Sequence, residues 1–144
     1  MDSGRDRCID NPQQGEMIDS KSKMRDEALI AESDNDMEIV SSLSVGFDLF
    51  GNLVVEMDYA DGSDSRYDYR LDAIVDKDEL VLLSKELESF NESLPLAISD
   101  RFGKGWKLLT PSDIDGVFSD ILDFILDCGA HYKLKRDRLD NNQV

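Results

Sequence analysis

The chain has 144 residues, 40% hydrophobic and 33% charged, and its 16 Lys and Arg against 32 Asp and Glu give a formal charge of −16. That length suits one domain with some chain left over for a tail, and the apolar fraction is sufficient for a core. The charge sets nucleic acid and anionic membranes aside as expected ligands: like charge repels where phosphate neutralisation or lipid attraction would be needed.

The acids are unevenly placed. Twenty acidic side chains, fourteen of them Asp, accompany seven basic ones between Met37 and Cys128, whereas four basic residues outnumber two acidic ones from Gly129 onward. Long-range attraction then favours a basic protein partner. No apolar run approaches the ~18–20 residues needed to span a bilayer. Arg5 and Arg7 are not followed by an apolar stretch, so a secretory signal is not expected. Cys8 and Cys128 are too far apart in sequence to suggest a disulfide framework, and the expected location is a reducing cytoplasm.

In chain order, residues 1–36 read as a mostly disordered polar tail, with Gly4, Pro12 and Gly15 among Ser, Asp and Lys. Met24, Leu29 and Ile30 offer at most a short amphipathic helix from about Ser22 to Glu32. From Ile39 the apolar period is two. Leu43, Val45, Phe47 and Leu49 share one face; Leu53, Val55, Met57 and Tyr59 resume it after Gly51–Asn52. Tyr67, Tyr69, Leu71, Ala73 and Val75 follow the turn around Asp61–Gly62. Three alternating segments joined by Gly/Asn/Asp turns predict an antiparallel meander covered on one face.

The period then lengthens. Asp76 or Asp78 can cap a helix carrying Leu80, Leu83, Leu87 and Phe90. A second short helix after Pro95 carries Leu96, Ala97, Ile98 and Phe102 and ends at Gly103 or Gly105. Trp106, Leu108 and Leu109 fall in a connection at the core edge. Thr110–Pro111–Ser112 opens the clearest helix, which runs to about Cys128 with Gly129 just past its end. Tyr132 and Leu134 alternate with His131, Lys133 and Lys135, a basic edge strand of the kind that resists sheet-to-sheet aggregation. The predicted architecture is therefore α+β: a three-stranded antiparallel meander, with a fourth strand available at the C-terminal edge, and two or three helices packed on one face. The domain spans residues 37–138, and residues 139–144 form a disordered end.

Two groups of acids are candidate partner-binding residues. The first is Asp113, Asp120, Asp123 and Asp127, which fall within an ~80° arc of the last helix. Asp is a poor interior helix residue, and like charges at these spacings repel. The same helix carries apolar residues over an arc of roughly 200°, wider than a one-sided surface helix needs. The second group is Glu56, Asp58, Asp68 and Asp72 on the polar face of the meander. A turn pairing Asp58 with Arg66 sets Glu56 opposite Asp68; another register sets Glu56 opposite Arg70.

Other chemistry finds little support. Asp58, Asp61, Asp64 and Asp68 around a Gly turn lack the spacing of a calcium loop. Cys128 and His131 supply two of the four ligands a zinc site needs, and no orienting group for a nucleophile. Neither a metal, a cofactor nor enzymatic activity is expected. In size and charge the chain resembles the small acidic immunity proteins of bacterial toxin systems. That resemblance implies an inhibitor that masks a basic surface, such as a toxin nuclease domain. The alternatives are a chaperone for a secreted effector, which would be small, acidic and α+β, and a structural domain. The expected oligomeric state is a monomer or a homodimer.

Overall fold

The computed structural model describes residues 24–34, 38–61, 68–103 and 109–138. Five strands and three helices follow in chain order: β1 (Arg25–Glu32), β2 (Ile39–Phe47), β3 (Leu53–Asp61), β4 (Tyr69–Val75), α1 (Leu80–Leu87), α2 (Leu94–Phe102), α3 (Pro111–Asp127) and β5 (Lys133–Arg138). The strands form one sheet in the order β1–β2–β3–β4–β5. Every neighbouring pair is antiparallel. The α+β class is as expected, and the C-terminal edge strand is present.

The additional strand is β1, which occupies sequence expected to belong to a disordered tail or a short helix. Its pattern is broken by register shifts between Arg25 and Ala28 and between Leu29 and Ala31. A bulge inserts an unpaired residue and turns the following side chains to the other face. As a result Ile30 and Ala31 are both buried, although they are adjacent in sequence. Residues 1–23 and 35–36 of the expected N-terminal tail, the expected C-terminal end 139–144, and Met37, Tyr67, Trp106 and Leu108 lie outside the described residues.

The core forms where the odd-numbered residues of β2, β3 and β4 meet the helices. Leu43, Val45, Leu53, Val55, Ala73 and Val75 pack with Leu83, Leu94, Ile98, Ile114, Ile121 and Ile125, all with 0% exposure. Full burial of such aliphatic side chains is worth about 1.5–3 kcal/mol each relative to exposure. The β2–β3 loop is held by Asp48, whose Oδ1 accepts hydrogen bonds from the backbone N–H groups of Phe50 (2.9 Å) and Asn52 (2.9 Å). Gly51 completes this turn at φ +85, a left-handed conformation that favours glycine. Leu49 therefore sits at the loop tip, 74% exposed, rather than on the apolar face of β2.

The polar face of the sheet is not open throughout, contrary to the expectation of cover on one side only. Ser44, Val54 and Glu56 on that face are buried. The N-terminal end of β1 passes close to Gly46: a Cβ there would lie 2.9 Å from both the Arg25 carbonyl oxygen and Met24 Cβ. The absence of a side chain at Gly46 permits this approach.

Each helix has an identifiable start or stop. Asp76 accepts from the Asp78 N–H (2.8 Å) in the 3-10 turn before α1. α1 ends at Glu88 in the left-handed region, and Phe90 beyond it is 76% exposed rather than part of the buried stripe. α2 is tied to β1 by the Ser99 hydroxyl, which donates to the Leu29 carbonyl (2.9 Å). The Asp34 N–H donates to the Leu109 carbonyl (3.0 Å), so α2 and Leu109 both engage the β1 side of the sheet. α3 opens with a reciprocal cap. The Asp113 N–H donates to Thr110 Oγ1 (3.2 Å), and the Thr110 N–H donates to Asp113 Oδ2 (2.9 Å). It closes with Gly129 at φ +89, the Gly129 N–H bonding to Leu126 and the Ala130 N–H to Ile125. That pair of bonds satisfies carbonyls the helix end would otherwise leave open.

Candidate interaction surface

The eight acids singled out in the sequence fall into three environments. Asp113 and Asp68 are engaged with backbone. Asp113 completes the α3 cap, and its hydrogen bonds from the Thr110 backbone and side chain hold its carboxyl below the usual range. Asp68 Oδ1 accepts from the Asp61 N–H (2.7 Å) and closes the β3–β4 connection.

Glu56, Asp58 and Asp72 gather around Arg70 on the polar face of the sheet. Neither expected register occurs. The strands pair Asp58 with Arg70 and Glu56 with Asp72, while Arg66 lies outside the described residues. Tyr59 stacks on its partner Tyr69 with ring centroids 4.8 Å apart, and this aromatic pair fits the observed alignment. Arg70 Nε lies 3.1 Å from Asp58 Oδ1 and 3.4 Å from Glu56 Oε2. The Glu56 side chain is only 7% exposed. The ladder continues into β5, where Asp137 stands opposite Arg70 and Lys135 opposite Asp72. Acids and bases therefore alternate in part across three strands, with Glu56 and Asp72 the one acid-against-acid pair in the ladder.

Burial pushes the Glu56 carboxyl up to about 8, with the negative charges of Asp58, Asp72 and Glu27 adding to the effect and Arg70 opposing it. Burial also raises Asp72, to about 6; Arg70 and a side-chain hydrogen bond with Glu56 work the other way.

Asp120, Asp123 and Asp127 are different. All three are exposed on the face of α3 directed away from the core. Among the described residues, no ion pair or hydrogen bond joins any of their side chains to a base. Asp115 is a further exposed acid on another flank of α3, close enough to Tyr69 to act on it, and the helix contains no Lys or Arg at all. Gly116 lies on the exposed face of the three acids, where a Cβ would meet nothing within 4 Å. A mid-helix glycine costs roughly 1 kcal/mol relative to alanine, and no packing need at this position offsets it.

The breadth of apolar residues on α3 is largely accounted for by the core. Ile114, Val117, Phe118, Ile121, Phe124 and Ile125 are buried. Phe124 meets Phe102 edge to face at 5.5 Å, and the Arg101 guanidinium lies 5.0 Å from the Phe124 ring centroid. Leu122 is half-buried and Leu126 is exposed, so the acidic stripe adjoins a single exposed leucine rather than a broad apolar band.

Sequence reasoning identified the α3 stripe but did not include Gly116 in it, although helical spacing alone places Gly116 on that face. It also missed the Glu56–Asp72 apposition, which depends on the strand register. Among the described residues, no cluster of three or more His, Cys, Asp and Glu is arranged to hold a metal, and no helix is long and apolar enough to cross a membrane. His131 Nδ1 lies 3.3 Å from Glu79 Oε2, and its backbone N–H donates to Glu79 Oε1 (2.8 Å), which locks the start of β5 to the turn before α1. Cys128 is half-buried, and burial pushes its thiol up, away from the reactive thiolate form. Comparison with protein-family models, curated protein sequences and solved structures returned no match.

Proposed function

We propose that this protein is a binding module rather than a catalyst, and that it uses the exposed face of α3 to mask a basic surface of a protein partner in the manner of an immunity or inhibitor protein. The observation that carries this reading is the uncompensated row Asp120, Asp123 and Asp127 on a helix without a single basic residue. Such a row raises the free energy of the isolated helix through like-charge repulsion, and a cationic partner relieves it. Asp127 adds a further cost, because a carboxylate at a helix C-terminus opposes the helix dipole. Short Asp side chains lose less rotamer entropy than Glu when a partner fixes them. Gly116 leaves room for close approach along the same face.

A toxin nuclease domain is one partner class with the required basic surface. The test is to capture the partner from the native host, then measure its association with wild-type protein and with the Asp120→Asn/Asp123→Asn/Asp127→Asn variant over a range of salt. Steered association predicts a wild-type rate that falls steeply as salt rises, and a variant roughly tenfold slower at low salt with a shallower salt dependence. Equal rates in the two proteins, or loss of fold in the variant, would overturn the proposal.

A further inference from the structure

The polar face of the sheet holds a second feature that the binding reading does not use. Glu56 on β3 and Asp72 on β4 stand directly opposite each other. Cβ atoms in such a pair are about 4.5–5.5 Å apart. Two ionised carboxylates offer each other no donor, so a hydrogen bond between them requires a proton on one of the two groups. One guanidinium serves the cluster, and its Nε is already engaged with Asp58 at 3.1 Å. Arg70 Nη2 and Asp72 Oδ1 are both buried without a hydrogen-bond partner.

We infer that Glu56 and Asp72 share one proton in the folded protein, and that this proton acts as a latch on the β3–β4 pairing, released as the medium turns alkaline. With the proton in place, two opposed carboxyl groups become a hydrogen-bonded pair of single negative charge. With it gone, the buried Glu56 carboxylate and the half-buried Asp72 carboxylate repel across the ladder, and the Arg70 guanidinium is divided among three acids. Like charges placed directly opposite on a sheet are destabilising, and burial amplifies this. The groups facing the pair reinforce the effect. Asp58 lies beside it on β3 and Glu27 approaches from β1, both favouring retention of the proton. Asp137 on β5 acts on Asp72 in the same sense. Arg70 opposes them, and Lys135 on β5 stands opposite Asp72 as the nearest further cation in the register.

The direction of the pH dependence follows from linkage. A carboxyl whose proton is held more tightly in the folded than in the unfolded state contributes stability that is complete below its unfolded value. That stability is lost as pH rises through the folded value. For Glu56 the loss runs from 4.5 to about 8. For Asp72 it runs from 3.8 to about 6.

The direct experiment is carbon-13 NMR titration of the Glu56 and Asp72 carboxyl carbons in the full chain, from about pH 4 to about pH 10. The expected midpoints are about 8 for Glu56 and about 6 for Asp72. Asp72→Asn should lower the Glu56 midpoint, because the Asp72 charge helps to hold the proton. In parallel, the urea midpoint of the wild type should fall between pH 4.5 and about 8, and Glu56→Gln should flatten that fall. The inference is overturned if both carboxyls titrate in the ordinary range, or if Asp72→Asn leaves the Glu56 midpoint unmoved. The wild-type titration decides the matter even if a variant fails to fold.

Discussion

The polar face of the sheet and the outer face of α3 are both rich in acids, yet they handle charge in opposite ways. On the sheet, Glu56 is buried, Asp58 and Asp72 are half-buried, and the three gather around Arg70, with Lys135 and Asp137 extending the ladder into β5. On α3, Asp120, Asp123 and Asp127 are exposed, on a helix that has no base of its own, and among the described residues no ion pair joins them to one. The first arrangement depends on tertiary structure, because β3, β4 and β5 must all be in register for it to exist. The second depends only on helical periodicity and makes no demand on the rest of the fold. An acid count therefore overstates the negative surface of this molecule, and strand register decides by how much.

The comparison can be broken most sharply at Arg70. Arg70→Ala should destabilise the domain by about 1.5–3 kcal/mol near neutral pH, because it leaves the half-buried Asp58 carboxylate without its charged hydrogen-bond donor and the half-buried Asp72 carboxylate without the same counter-charge. Urea denaturation measures this, and a loss below about 1 kcal/mol would place the cluster in an effectively solvated environment. Next in size is the α3 cap. Thr110→Ala removes the acceptor for the Asp113 N–H and should cost about 1 kcal/mol. Gly116→Ala is expected to act with similar size and opposite sign, stabilising the helix by roughly 1 kcal/mol, because its Cβ enters open space. Thermal melting of the two variants side by side would reveal both signs. If the outer face of α3 is the docking face, Gly116→Ala should also weaken partner binding while strengthening the fold.

The smallest stability effect belongs to the Asp stripe. Changing Asp120, Asp123 and Asp127 to Asn should leave stability unchanged or raise it by a few tenths of a kcal/mol for each repulsive pair removed. Chemical denaturation at low salt would detect a gain, and a substantial loss would mean that these acids have structural partners after all.

Much of this architecture was legible in the sequence. The odd-numbered alternation from Leu43 to Val75 revealed β2, β3 and β4 together with the face they bury. Thr110–Pro111 and Gly129 marked the two ends of α3, because capping chemistry is local and residue-specific. What escaped detection depends on contacts between distant segments. β1 has no clean period because a bulge sets Ile30 and Ala31 into the core side by side. Leu49 and Phe90 continue apolar patterns on paper but fall beyond the ends of their elements, one in the Asp48 turn and one after the left-handed stop at Glu88. The acids of the last helix could be identified from spacing alone. Those of the sheet could not, because the partner of Glu56 lies sixteen residues away and a shift of two would change its identity.

The insertion of all three helices between β4 and β5 also bears on how the chain folds. Phe47 and Leu53 are brought together by closing a loop of five residues, whereas Ile74 must find Lys133 across all three helices. On chain-entropy grounds the longer closure costs about 2 kcal/mol more. Such non-local pairing is recovered late in folding, after the contacts that compensate for it have formed. The basic strand is then expected to be seated last, and the folding rate should be more sensitive to substitutions in the β2–β3 hairpin than to those in β5.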